Sequence, residues 1–173
     1  MVNYGLAISF ADFPGTVALR FSTLAAIVED LLESVHRAGF RRIVIVNGHG
    51  GNTPMAGVAQ EWMHRRRGAQ IKWHDWWSAP KTMAKVKEID SVASHASWME
   101  NFPWTRLAGV QQPVERKLMI DVDRLRCVDP GEKKKLLGDG NYGGYYQRPD
   151  ADMSAIWDVA VAETRAVIAD GWA

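Results

Sequence analysis

Cysteine is almost absent: Cys127 is the only one. The chain can form neither an internal disulfide nor a cysteine-based zinc site, and a reducing cytoplasm is the expected setting. Long apolar runs are lacking too, since none approaches the roughly 20 residues of a membrane span. The opening MVNYGLAISFADFPGT has neither the basic stretch nor the long apolar core of an export signal. Charge of one sign is not in excess. Lys and Arg total 21 against 20 Asp and Glu, a formal charge of +1, so no face is obliged to seek nucleic acid or anionic lipid. Internal repeats, low-complexity tracts and Pro-rich linkers are also missing, and one domain over 1–173 is expected. Tryptophan is plentiful. Eight in this length suit either aromatic walls around a ligand or bulky core and subunit contacts.

FSTLAAIVEDLLESVHRAGF sets Leu24, Ile27, Val28, Leu31, Leu32 and Val35 at three- and four-residue spacings. That pattern predicts an amphipathic helix, with Ser22 or Thr23 as N-cap and Gly39 as stop. Ile43 to Val46 is a short apolar run without alternation, as expected of a strand covered on both faces in a parallel sheet. After a turn over Asn47 to Asn52, Thr53 and Pro54 suit the cap and first position of a second helix carrying Met55, Val58, Ala59 and Trp62 on one side and ending near Gly68. A second strand follows at Gln70 to Trp73. Helix, strand, glycine loop, helix and strand is the rhythm of an α/β sheet. Beyond Asp75 the pattern weakens into expected surface helices and loops. LLGDGNYGGYYQRPDAD is expected to be a loop, a lid or a plain connection, before a terminal helix over SAIWDVAVAETRAVIADGW.

The informative stretch is IVIVNGHGGNTP. In open α/β sheets ligands collect at the carboxyl ends of strands, and His49 lies just past one. Gly48, Gly50 and Gly51 permit positive φ values and leave no β-carbons to obstruct a metal or substrate. Asn47 and Asn52 can hold the loop through side-chain hydrogen bonds to backbone. The plain alternative is a tight turn with an ordinary surface histidine. A phosphate cradle is a further alternative, though NGHGGN lacks both the Lys-Ser/Thr of a P-loop and the G-x-G-x-x-G spacing.

NGHGGN after an apolar strand, together with FPGT and the helix ending AGFRRIVIV, resembles the creatininase (creatinine amidohydrolase) family. The resemblance implies a three-layer α/β/α fold with a mostly parallel central sheet. It also implies hydrolysis of C–N bonds in small cyclic or formyl amides at a divalent centre of Zn or Mn, binuclear in relatives. His49 takes the role of a metal ligand from it. A second family feature corresponds to SHASWMEN, in which Ser97 stands for the usual glycine and Asn101 for the usual threonine. By the same resemblance Glu100 is a metal ligand and His95 a general acid; spacing alone leaves them about one and a half helical turns apart, with no need to share a face. Gly50, Gly51, Asn52, Trp76, Trp77 and Trp98 are the expected substrate-binding residues, with Trp104 a further candidate for a flat aromatic slot. His74 and Asp75 either support a ligand from behind or cap the next helix, while His36 and His64 read as solvent residues.

Relatives carry an earlier strand with a glutamate, a histidine two residues on and then an aspartate, and nothing here matches these. SFADFPGT has Ala11 and Asp12 where relatives often show Glu-His. An N-terminally truncated member is therefore expected, and a sheet without that strand would leave an unpaired edge. Two functional classes stay open: an amidohydrolase working on a small-molecule amide as a homo-oligomer, and a catalytically incomplete remnant with a structural or oligomerisation role.

Overall fold

The computed structural model describes residues 4–172; residues 1–3, at the head of the opening stretch, and 173 lie outside. The chain is mixed α/β and divides into two compact units, one running to Ala79 and resuming at Ala162, the other Pro80–Val161. Among the described residues no helix is long and apolar enough to cross a membrane.

In the first unit, α1 spans Phe21–Arg37 and buries Leu24 and Leu32. Its N-cap is Arg20, in an extended conformation and without a side-chain cap bond, so the expected caps Ser22 and Thr23 lie inside the first turn. Gly39 ends the helix as expected, at φ +99°, the left-handed conformation that glycine adopts without strain. Leu31, placed on the apolar face by its spacing, is 60% exposed. The strands β1 (Arg42–Asn47) and β2 (Gln70–Asp75) pair in parallel, from Arg42 opposite Gln70 to Asn47 opposite Asp75. They form one two-stranded sheet among the described residues. The expectation that β1 is covered on both faces does not hold here: Ile43, Val44 and Ile45 are half-buried and Val46 is 49% exposed.

Between the strands runs α2 (Met55–His64), whose N-cap is Pro54 instead of Thr53. Met55, Ala59 and Trp62 are its buried face. Trp62, Ala59, Leu32 and Ala69 make one core cluster with Ile43, Ile45 and Ile71 against it, while Leu6, Leu24 and Met55 make another. The basic run after α2 also ties the helices together. Arg65 pairs with Glu29 of α1, and Arg66 donates Nε and a terminal N–H to Glu33 at 3.1 and 2.8 Å. The Arg66 hydrogen bond holds the Glu33 carboxyl below its ordinary range. His36 is not the plain solvent residue its position implied, for its ring meets Trp62 edge-on at 5.5 Å.

The second unit contains α3 (Pro80–Ile89), α4 (Val122–Arg126), α5 (Pro130–Leu137) and most of α6 (Asp150–Ala169). Asp121 and Asp129 cap α4 and α5 by accepting from backbone N–H groups, the role short carboxylates fill best. The expected surface character of the stretch after Asp75 is corrected. Val86, Trp98, Met99 and Phe102 are core residues together with Leu137, Met153 and Ile156. Trp98 and Met99 are buried from a short 3-10 turn, Trp98–Glu100, where there is no α-helical period to detect, while Val86 and Leu137 are buried from α3 and α5. The terminal helix begins at Asp150, about a turn before Ser154.

Trp62 is 2% exposed at the meeting of α1, α2 and the sheet. Trp62→Ala should destabilise the first unit by about 3–5 kcal/mol, the range for deleting a large core aromatic, read as a lowered denaturant midpoint.

Candidate active site

The turn after β1 is held by one carboxylate. Asp75, the last residue of β2 and register partner of Asn47, accepts from Asn47 Nδ2 at 2.7 Å and from Trp73 Nε1 at 2.8 Å through Oδ1. Its Oδ2 accepts from the Thr53 hydroxyl at 3.3 Å. Asn47, only 4% exposed, passes this order on: Nδ2 donates to the His49 carbonyl at 2.8 Å, and Oδ1 accepts from the His49 N–H at 3.2 Å and from Asn52 Nδ2 at 3.4 Å. Asp75 thus fixes the main chain around His49. It makes no side-chain cap for the 3-10 turn that follows it.

On the other side the turn docks against the N-terminal segment. Asn52 Oδ1 accepts from Leu6 N–H at 2.9 Å, and His49 Nε2 lies 3.3 Å from the Leu6 carbonyl oxygen. This changes the reason for the glycines. None of Gly48, Gly50 and Gly51 lies in the left-handed region, so conformational freedom is not what they supply. A Cβ at Gly51 would sit 2.2 Å from Leu6 O and 2.5 Å from His49 Nε2. At Gly50 the nearest atom would be Trp77 Cζ2, an ordinary 3.8 Å away. Gly51 is therefore small because the imidazole and a peptide carbonyl occupy the space beside it. Leu6 and Gly5 were not legible as part of this site; the one signal was a glycine at position 5, where a Cβ would meet Asn52 Oδ1 at 2.7 Å.

The second motif lies in the Pro80–Val161 unit and is a tight turn at His95 and Ala96 leading into a 3-10 turn, Trp98–Glu100, not an α-helix. Ala96 takes φ +54°, a conformation costing a non-glycine residue roughly 1–2 kcal/mol. Ser97 is extended at φ −89°, ψ −171°; its hydroxyl donates to Ser94 O at 2.7 Å and accepts from Ser94 N–H at 2.9 Å. The reversal at Ala96 brings the Glu100 carboxylate back. Oε1 accepts from Ala96 N–H at 3.1 Å and stands 3.4 Å from His95 Nδ1. The two residues that spacing did not require to meet are in contact.

Glu100 also lines a cleft of about 310 Å3, with Asn101, Thr105, Arg106, Gln112 and Tyr146 among its walls. The Tyr146 phenol donates to Asp139 Oδ2 at 2.6 Å, and that bond, aided by burial, pushes its pKa up to about 12. Burial pushes the Asp139 carboxyl up, but donation by Lys117, Tyr146 and the Asn141 N–H outweighs it and holds the carboxyl below its ordinary range.

The tryptophans divide between the two units. Trp76 and Trp77 meet edge-on at 6.5 Å in the first unit. Trp98 is fully buried in the second and donates Nε1–H to Val92 O at 3.1 Å, so it is a core residue and not an open substrate wall. Trp104 stacks on Phe102 at 5.1 Å and meets Trp157 at 4.9 Å.

Among the described residues, no group of three or more His, Cys, Asp or Glu side chains is placed to hold one metal ion. Catalytic zinc generally takes three protein ligands, and His49 Nε2 already faces a carbonyl oxygen. These side chains do not by themselves make up a divalent centre.

A turn histidine at the carboxyl end of a parallel strand and a histidine–carboxylate pair beside a cleft are parts that hydrolases use. The family profile described as "Creatininase: Creatinine amidohydrolase" matches residues 1–109, a stretch containing both motifs. The chain belongs to the creatininase family, a hydrolase family of amidohydrolase type. No curated protein matches it significantly.

Gly51→Ala should lower thermal stability markedly, by about 1–3 kcal/mol as for other overpacked sites, whereas Gly50→Ala should leave the melting temperature nearly unchanged. In the second unit, tyrosinate absorbance should show one phenol titrating near 12. The Tyr146–Asp139 bond is fully present below the ordinary tyrosine pKa of about 10 and is lost as pH rises through the folded value. Asp139→Asn should return that phenol toward the ordinary value.

Proposed function

We propose that the chain hydrolyses a C–N bond in a small cyclic or formyl amide, with His95 as the general acid that protonates the departing nitrogen. The single observation carrying this reading is the His95–Glu100 pair, 3.4 Å apart with Glu100 lining the cleft. A carboxylate opposite Nδ1 orients the imidazole, the group assigned to protonate the leaving amine. Glu100 is itself held by the Ala96 N–H. The aromatic pair Trp76 and Trp77, with Gly50, Gly51 and Asn52, are the proposed substrate contacts of the first unit. The three-layer α/β/α arrangement, the Zn or Mn dependence and homo-oligomer formation belong to the same reading.

His49 in the first unit and Glu100 in the second are each proposed as a metal donor. Because two protein donors are fewer than catalytic zinc generally takes, the chemistry assigned to this chain is proton transfer and substrate positioning. The missing third donor among the described residues favours a second reading, a catalytically incomplete family member.

Creatinine and a formylaminopyrimidine, each offered with added Zn or Mn and followed by mass spectrometry, separate the two. Turnover that drops about 10²- to 10⁴-fold in His95→Ala, the usual worth of a positioned acid, is the expected result. No turnover of either compound with either metal would leave the incomplete member standing.

A further inference from the structure

The glycine- and tyrosine-rich loop after α5 lies beyond the family-matched stretch, which ends at residue 109. Read as sequence it is a lid or a connection. In the structure it joins α5 to α6, and four hydrogen bonds fasten it to the segment carrying His95 and Glu100. Tyr142 N–H donates to His95 O at 3.0 Å, and Trp98 N–H donates to Tyr145 O at 2.8 Å. The Ser94 hydroxyl donates to Gly143 O at 2.5 Å, and Asn101 Nδ2 donates to Tyr146 O at 2.8 Å. The fit leaves no slack. Gly143 and Gly144 sit at φ +134° and +100°, and a Cβ at Gly143 would lie 2.6 Å from Met119 Cα.

Fastened this way, the loop lays the Tyr142 ring against the His95 imidazole, centroids 5.0 Å apart and planes at 68°. That is the edge-to-face arrangement favoured by ring quadrupoles. The His95 side chain is 33% exposed, with the Glu100 carboxylate on its Nδ1 side. A ring so placed would otherwise sample several rotamers, and a proton donor that is misplaced by a fraction of an ångström works poorly.

We propose that Tyr142 is a positioning residue for His95, acting through the imidazole and not on the substrate, so that the loop over residues 138–146 belongs to the candidate active site. The proposal rests on His95 being the proton donor, but its geometry can be measured without turnover.

The measurement is NMR of the His95 ring protons in the full chain and in Tyr142→Phe and Tyr142→Leu. The unsubstituted chain should give a cross-relaxation peak between the two rings. Tyr142→Phe should keep that peak and the His95 ring shifts, and Tyr142→Leu should lose the ring-current shift while its backbone N–H still bonds His95 O. No ring-to-ring peak in the unsubstituted chain, or His95 ring shifts in Tyr142→Leu equal to those of the unsubstituted chain, would overturn the proposal. On creatinine or the formylaminopyrimidine, kcat should fall roughly 10- to 100-fold in Tyr142→Leu with KM unchanged, and recover in Tyr142→Phe. Absence of turnover in every variant would strike the hydrolase reading and leave the ring measurement to decide this one.

Discussion

A carboxylate at the end of one strand organises the turn at the end of its neighbour. Asp75 can accept from Asn47 because parallel pairing sets the two residues side by side at the carboxyl ends of β2 and β1. Asn47 is buried, and a buried amide left unbonded would cost about 1–3 kcal/mol. Its donors and acceptor are instead spent on Asp75, on both main-chain groups of His49 and on Asn52. The turn histidine is thereby held at the main chain before its ring makes any contact. The ring then closes on the Leu6 carbonyl, and Gly51 has to stay small to let it.

The second motif reaches a comparable order by different means. Its turn accepts backbone strain at Ala96, offset in part by the bond from Ala96 N–H to Glu100. Behind it stand a fully buried Trp98 and the Arg148 guanidinium, 5.8 Å from the indole ring. Asp90, whose side chain is 7% exposed, takes two bonds from Arg116 and lies within 4.0 Å of Arg148. Charged groups on this scale are rarely buried unless paired, and here the pairing fastens the segments on either side of the turn.

Much of the first unit was legible. The α1 and α2 faces, the parallel strands and the stop at Gly39 follow from periodicity and from glycine's freedom at positive φ. Caps were not legible at one-residue resolution: Ser22 and Thr23 are good capping residues by type, yet the helix starts at Phe21 with Arg20 as its N-cap. In the second unit the terminal helix was legible from its period, but the burial of Trp98 and Met99 was not, because they ride on a short 3-10 turn with no α-helical period to detect.

NGHGGN after an apolar strand pointed to the family, and the residue types at the two motifs are read directly along the chain. How those residues are used follows from the folded chain. It gave Gly51 a steric role, removed Trp98 from any open wall, joined His95 to Glu100 and brought Tyr142 to the imidazole. The physical reason is range. Periodicity and turn chemistry act over a few residues, whereas these contacts join residues up to 47 apart in the chain, such as Tyr142 N–H and His95 O, and form only when the intervening chain folds back.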